Sequence, residues 1–295
     1  MLDTSFPYDA QCPVFYDNDD HRDVYTDEFL LALHSAGHID LRGMSTTYSF
    51  DASEYAEFVD GRARIVDVAR ESGMRSLPDP IPGPDDGFSM PESERIDDTE
   101  PLDEQASHAI VREAATATTD QQLVVITGGP LTTVADAYLI DPSITETVVV
   151  ASLLGTTQDT SGWNGELDPW ATYIVTTQFR YVQFPTYHWP PTVRKPELRR
   201  RLPESPLKEW MVEIQHPSNE LPDGADNDGQ PVVPLVQQNF VKQTVRCAVA
   251  GRFDDVCVFR EATDGNITVV TDADGHGVGR EAFFAALTDP AAYAE

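Results

Sequence analysis

Residues 15–33 read FYDNDDHRDVYTDEFLLAL. The run leading into them, 13–16, is apolar enough for a strand, and 17–25 follow as a loop dense in aspartate. From Thr26, a residue type suited to cap a helix, Phe29, Leu30 and Leu33 recur at helical spacing and predict a helix over 27–36. Strand, polar loop and helix in that order open a βαβ unit. The loop of such a unit lies at the carboxyl edge of a parallel sheet, where ligands bind.

Outward from this stretch the alternation continues. A strand is expected at 41–47, a longer helix at 52–72 and another at 104–118. QLVVIT at 122–127 is an uninterrupted apolar run of the kind buried on both faces of a sheet. The Gly128-Gly129-Pro130 turn then leads into a helix through Tyr138, TETVVVAS at 145–152 gives a second buried strand, and a helix at 169–177 and a strand at 181–184 follow. The segment 77–102 is rich in Pro, Gly, Asp and Glu without apolar period, so it is expected to be an exposed loop, too short to separate one domain from another. Residues 188–228 are Pro-rich and polar, with the basic cluster RKPELRRR at 194–201; a solvated helix pairing with acidic surface and a phosphate site are both open there. Helix is predicted over 232–250, a terminal pair of strands at 256–259 and 267–271, and a closing helix at 281–287. The expectation is an α/β fold: one domain over 1–295 with a mostly parallel central sheet flanked by helices.

Of 295 residues, 50 are acidic and 20 basic, a formal charge of −30. The acids are spread over the whole chain, which suits a solvated shell in a salt-rich cytoplasm and disfavours nucleic acid or an anionic membrane as partner. Cys12, Cys247 and Cys257 form no CxxC pair and are expected to be reduced thiols. Residues 1–9 lack the basic and apolar regions of a secretory leader, and no apolar run approaches a bilayer span, so the expected location is cytoplasmic.

The densest chemical signal is the loop from Asp17 to Asp27. Carboxylates this close repel one another in a low dielectric unless a cation or solvent separates them. Oxygen ligands select Ca²⁺ or Mg²⁺, and the flexible Ca²⁺ shell tolerates irregular loops better; the loop lacks the spacing and central Gly of an EF-hand. A solvated acidic loop in an acidic protein is the other possibility. His21 and Arg22 are open to two roles, neutralising local charge or serving a leaving group. Trp163, Trp170, Tyr187, His188 and Trp189 are packing residues or stacking platforms for a base.

The loop, with GMSTTYS at 43–49 after it, resembles the opening of the nucleoside hydrolase family, the inosine- and uridine-preferring N-ribohydrolases. There a D-T-D-x-G-N-D-x-D-D loop precedes an A-L-A-L helix and a G-I-T-T-V-Y-G-N strand; here the loop is one residue longer. TGGPLTTVADAYLIDP at 127–142 resembles the family's G-P-L-T-N-I-A segment, and SGWNGELDPWA at 161–171 its E-F-N-x-x-x-D-P-E-A segment. Together the similarities run from Phe15 to about Ala286. They imply Asp19 as general base and metal ligand, and Asp27 as the closing ligand of the loop. Thr132 supplies a backbone carbonyl to the metal, and Asp228, or else Asp226, the last carboxylate. Asp17, Asp23 and Asn164 fall on the substrate side. The implied cofactor is Ca²⁺, with Mg²⁺ possible, the implied partner a nucleoside or other ribosyl compound, and the implied assembly a homo-oligomer. The implied reaction is metal-dependent hydrolysis of the N-glycosidic bond of a purine or pyrimidine ribonucleoside to base and ribose.

Several positions depart from the family pattern. The loop has no Gly, Arg22 stands among the carboxylates, Thr26 replaces an Asp, Gly162 replaces a Glu and no His precedes Asp228. A second expectation therefore stands beside the first: the same scaffold without the chemistry, acting as a ligand-binding or structural module.

Overall fold

The computed structural model describes residues 7–21, 25–49, 52–155, 160, 162–185, 193–213, 230–236, 242–244, 248–253, 256–261, 267–270 and 275–293. The first unit forms as the sequence predicts: β1 is Pro13–Asn18, α1 Thr26–Ser35 and β2 Asp40–Thr46. Thr26 is not the cap it was expected to be. The helix begins on it, Tyr25 precedes it without a side-chain cap, and acidic Asp27 and Glu28 occupy the first turn, where the helix dipole favours them. The long helix α2 is Tyr55–Glu71, entered through a 3₁₀ turn at Ala52–Glu54.

Within the segment expected to be loop, Pro80–Pro82 forms a short strand, β3, parallel to β2. It is an edge strand, a position that tolerates proline because one side of its backbone needs no ladder partner. The next helix, α3, is Gln105–Ala114. The segment leading into it is held from a distance: Asp136 accepts hydrogen bonds from the amides of Leu102 (2.7 Å), Asp103 (3.2 Å) and Glu104 (3.1 Å). Then come β4 (Leu123–Thr127), α4 (Thr132–Ile140), β5 (Val148–Leu153), α5 (Trp163–Leu167), α6 (Pro169–Gln178) and β6 (Arg180–Phe184). Pro169 at the first helical position and Asp168 accepting from the Ala171 amide at 2.9 Å fix the start of α6.

One expectation fails in the last third. No helix spans 232–250: a 3₁₀ turn at Gln230–Leu235 gives way to β7 (Lys242–Thr244) and β8 (Ala248–Phe253). Apolar content there comes from β-branched valines and prolines, which favour extended backbone. The last two predicted strands both form, each with a different partner. β9 (Val256–Glu261) forms an antiparallel hairpin with β8, whereas β10 (Ile267–Val270) joins the main sheet parallel to β6. The basic segment becomes α7, Lys195–Arg201, followed by α8, Pro206–Glu213. Arg201 makes a paired contact with Glu281 at 3.0 and 2.9 Å, and Arg280 reaches Glu197, so α7 binds acidic surface as one of its two expectations held. The last helix, α9, is Gly275–Leu287.

The main sheet has eight strands in the order β3-β2-β1-β4-β5-β6-β10-β7, parallel except for β7. Helices cover both faces. Val14, Tyr16, Ile126 and Ala151 pack toward α1, α2 and α9, through Leu30, Ile65 and Phe284. Phe15, Val125, Val150 and Tyr181 pack toward α3, α4 and α6, through Ile110, Val134 and Ile174. Among the described residues no helix is long and apolar enough to cross a membrane.

Candidate functional site

The apolar sheet ends in polar residues. Backbone register sets Ser45, Asp17, Thr127, Ser152 and Gln183 side by side across five strands, and all five are buried. Partners in parallel register point to one face, here the face covered by α3, α4 and α6. Ser45 Oγ donates to Asp17 Oδ1 at 2.5 Å, while Asp17 Oδ2 and the hydroxyls of Thr127, Ser152 and Thr133 make no hydrogen bond among the described residues. Burial pushes the Asp17 carboxyl up to about 6 against the restraining hydroxyl of Ser45.

One residue further on, the chain reaches the edge. The buried amide of Asn18 has neither its oxygen nor its nitrogen hydrogen-bonded among the described residues. It lies so close to Gly128 that a Cβ there would stand 2.4 Å from Asn18 Oδ1. Asp19, 2% exposed, is set against Gly129: a Cβ on that glycine would come within 2.8 Å of the Asp19 backbone nitrogen. The double glycine therefore lets two loops approach more closely than any side chain permits. Asn164 fixes the turn from below, its amide nitrogen donating to the carbonyls of Gly128 and of Leu153, the latter at 3.0 Å. It thus serves as a strut under the edge.

Arg62 is the residue that local patterns did not single out. It extends from α2, fully buried, to the carboxyl ends of β1 and β2. Its Nε donates to Asp27 Oδ1 at 2.8 Å, and Nη2 lies 3.5 Å from Oδ2. Its Nη1 faces Thr46 Oγ1 (2.7 Å) and the carbonyls of Asn18 (3.0 Å), Ser45 (3.2 Å) and Asp19 (3.4 Å). The Tyr16 ring lies 5.8 Å from the guanidinium carbon. One signal was available: Arg62 sits at helical spacing between Phe58 and Ile65, on the buried stripe of α2, where a charge needs a partner.

His21 is held away from the edge. Its ring seats on Gly61, where a Cβ would be 2.3 Å away, and tilts against Phe58 at 6.3 Å, with Nδ1 at 3.7 Å from Asp20. Glu28 is buried beside Asp27, and its Oε1 has no hydrogen-bond partner among the described residues. Burial, then the charge of Asp27, pushes its carboxyl up to about 8. In the unfolded chain the group loses its proton near 4.5, so deprotonation favours unfolding, and the contribution to stability falls as pH rises from about 4.5 to about 8. Glu28→Gln is expected to remove that slope and to raise stability near pH 7 by up to about 3 kcal/mol. Denaturant midpoints at a series of pH values check this; identical slopes in both proteins would acquit Glu28.

Thr132 opens α4 and is buried, its hydroxyl donating to Asp168 Oδ2 at 2.8 Å. Asp168 also accepts from the Phe88 amide at 2.9 Å, and burial pushes its carboxyl up to about 6. It ties the loop after β3 to the starts of α4 and α6. The structure thus gathers Asp17, Asp19, Asp27, Thr132 and Asn164 around the ends of β1, β4 and β5. Asp23, Asp226 and Asp228 lie outside the described residues, as do Arg22, Tyr187, His188 and Trp189. Of the aromatic candidates, Trp170 is core, stacked on Tyr173 at 5.2 Å, whereas Trp163, beside Asn164, is 57% exposed.

Among the described residues no three Asp, Glu, His or Cys side chains converge as a metal-binding group. Asp27 already gives Oδ1 to the Arg62 guanidinium, so this one expected ligand does not fit a Ca²⁺ shell while that ion pair holds.

No family model and no curated protein matches the chain. Solved structures do match it. It superposes on the purine-preferring ribonucleoside hydrolase from Gardnerella vaginalis with a TM-score of 0.67 at 15% identity, over 96% of this chain and 100% of that one. An inosine-uridine preferring nucleoside hydrolase from Bacillus anthracis gives 0.56 at 15% identity, over 96% and 100%. The type III effector protein XopQ, complexed with adenosine diphosphate ribose, gives 0.58 at 12% identity, over 95% and 94%. The chain has the nucleoside hydrolase fold.

Proposed function

We propose that the carboxyl edge of the sheet receives the ribosyl part of a ribonucleoside and that the protein hydrolyses its N-glycosidic bond. The observation that carries this is the seating of Asp19 and Asn18 against the Gly128–Gly129 turn, at the ligand-binding edge of a fold shared with nucleoside hydrolases. In the scheme, Asp19 accepts a proton from water as the water oxygen bonds to the anomeric carbon. The bond from that carbon to the base nitrogen breaks through an oxocarbenium-like state, which the negative charge of Asp19 stabilises, and the departing base takes up a proton. Asn18 offers a donor and an acceptor to sugar hydroxyls, and the exposed ring of Trp163 offers a stacking face for the base.

A second possibility is favoured by one observation, the engagement of Asp27 by Arg62: a site that binds a ribosyl compound without turning it over. Incubation with a panel of ribonucleosides and with adenosine diphosphate ribose, in high salt with and without Ca²⁺, separates the two. Release of reducing sugar from at least one nucleoside is the expected result. Ligand-induced thermal stabilisation without sugar release, amounting to about 2.7 kcal/mol at a ligand concentration of about 100 Kd, supports binding alone. The absence of both turnover and stabilisation overturns the ribosyl assignment.

A further inference from the structure

The family resemblance implies a divalent ion at the acidic loop, and among the described residues the structure places the Arg62 side chain against that loop. Arg62 touches the loop at the Asp27 carboxylate and at the carbonyls of Asn18 and Asp19, and it touches the neighbouring strand at the Ser45 carbonyl and the Thr46 hydroxyl. A carboxylate, carbonyls and a hydroxyl are the oxygen donors that hard cations gather, and they are spread over the Arg62 side chain, the carboxylate at Nε and Nη2 and the others at Nη1. Here they face a guanidinium, whose planar fork can meet several acceptors and which stays charged when buried. Its charge also acts on the buried carboxyls of Asp17 and Glu28, in addition to Asp27.

We infer that Arg62 is the resident cation of the acidic loop, filling the charge-balancing place expected for Ca²⁺ and making the architecture of the loop independent of divalent metal. A metal ion sharing Asp27 would lie beside a fixed positive charge and would compete with it for the same oxygens. The inference concerns what holds the loop, so it stands or falls separately from turnover.

Thermal unfolding of the full chain tests it, in about 1 M salt, where screening over about 3 Å suppresses loose Ca²⁺ binding to the acidic surface. Wild type is expected to unfold at the same temperature with EDTA and with excess Ca²⁺. Arg62→Met is expected to unfold at a lower temperature in EDTA, to be shifted upward by Ca²⁺, and to bind Tb³⁺ at a saturable site that wild type lacks. Adding Asp27→Asn to Arg62→Met should abolish the upward shift. A wild-type protein destabilised by EDTA and restored by Ca²⁺ overturns the inference, as does a folded Arg62→Met protein indifferent to Ca²⁺. Should Arg62→Met fail to fold, Arg62→Lys keeps the charge and is expected to remain indifferent to Ca²⁺; a Ca²⁺-dependent shift in that variant overturns the inference equally.

Discussion

Asp27→Asn is expected to cost about 3–5 kcal/mol of stability, because it leaves a buried guanidinium without its counter-charge. The size follows from chemistry and burial together. Both side chains are at most 1% exposed, and Arg62 cannot escape by shedding its proton as a buried lysine does. Asparagine keeps one acceptor for Nε and presents an amide to Nη2, so some of the geometry survives and the charge does not. At about 2–4 °C per kcal/mol for a chain approaching this size, the melting temperature should fall by roughly 10 °C. A loss under about 1 kcal/mol, the range of exposed pairs, would demote the pair to a surface-like contact. The double variant Asp27→Leu/Arg62→Met should be more stable than Asp27→Asn, since removing both charges relieves the desolvation that one stranded charge suffers.

Asp19→Asn is expected to lower the rate of glycosidic hydrolysis by about 10²–10⁴-fold, the usual worth of a general base. The substitution is nearly isosteric and keeps the fit to Gly129, so stability should change by no more than about 1 kcal/mol. The contrast between a large kinetic and a small thermodynamic effect is what assigns Asp19 to chemistry. Measured together on the same preparation, sugar release and melting temperature check both halves. Turnover retained within a factor of about two, against the expected 10²-fold or greater loss, removes Asp19 from the reaction.

The two residues differ in how far the sequence exposes them. Asp19 belongs to a loop whose neighbours along the chain, a strand and then a helix, already place it at the carboxyl edge of the sheet. Asn164 and Thr132 were legible as positions in motifs, but their contacts were not. Asn164 turns out to brace the carbonyls of Gly128 and Leu153, and Thr132 to bond Asp168, 36 residues away. Arg62 was legible only as a charge at an apolar helix position. The last two strands show the same limit: their short β-branched runs were visible, yet β10 pairs with β6 across more than eighty residues, and β9 pairs with β8, part of which was read as helix.

By itself, the sequence determined the alternation of buried strands and helices, the parallel α/β class and the acidic loop at a strand end. These depend on which residues are apolar and at what period, a property of short windows. Only the tertiary structure decided which charge answers that loop. Asp27 and Arg62 stand 35 residues apart, and no local preference joins them. They meet because α1 and α2 pack on the same face of the sheet, and once both are out of water, each charge is tolerable only in the company of the other.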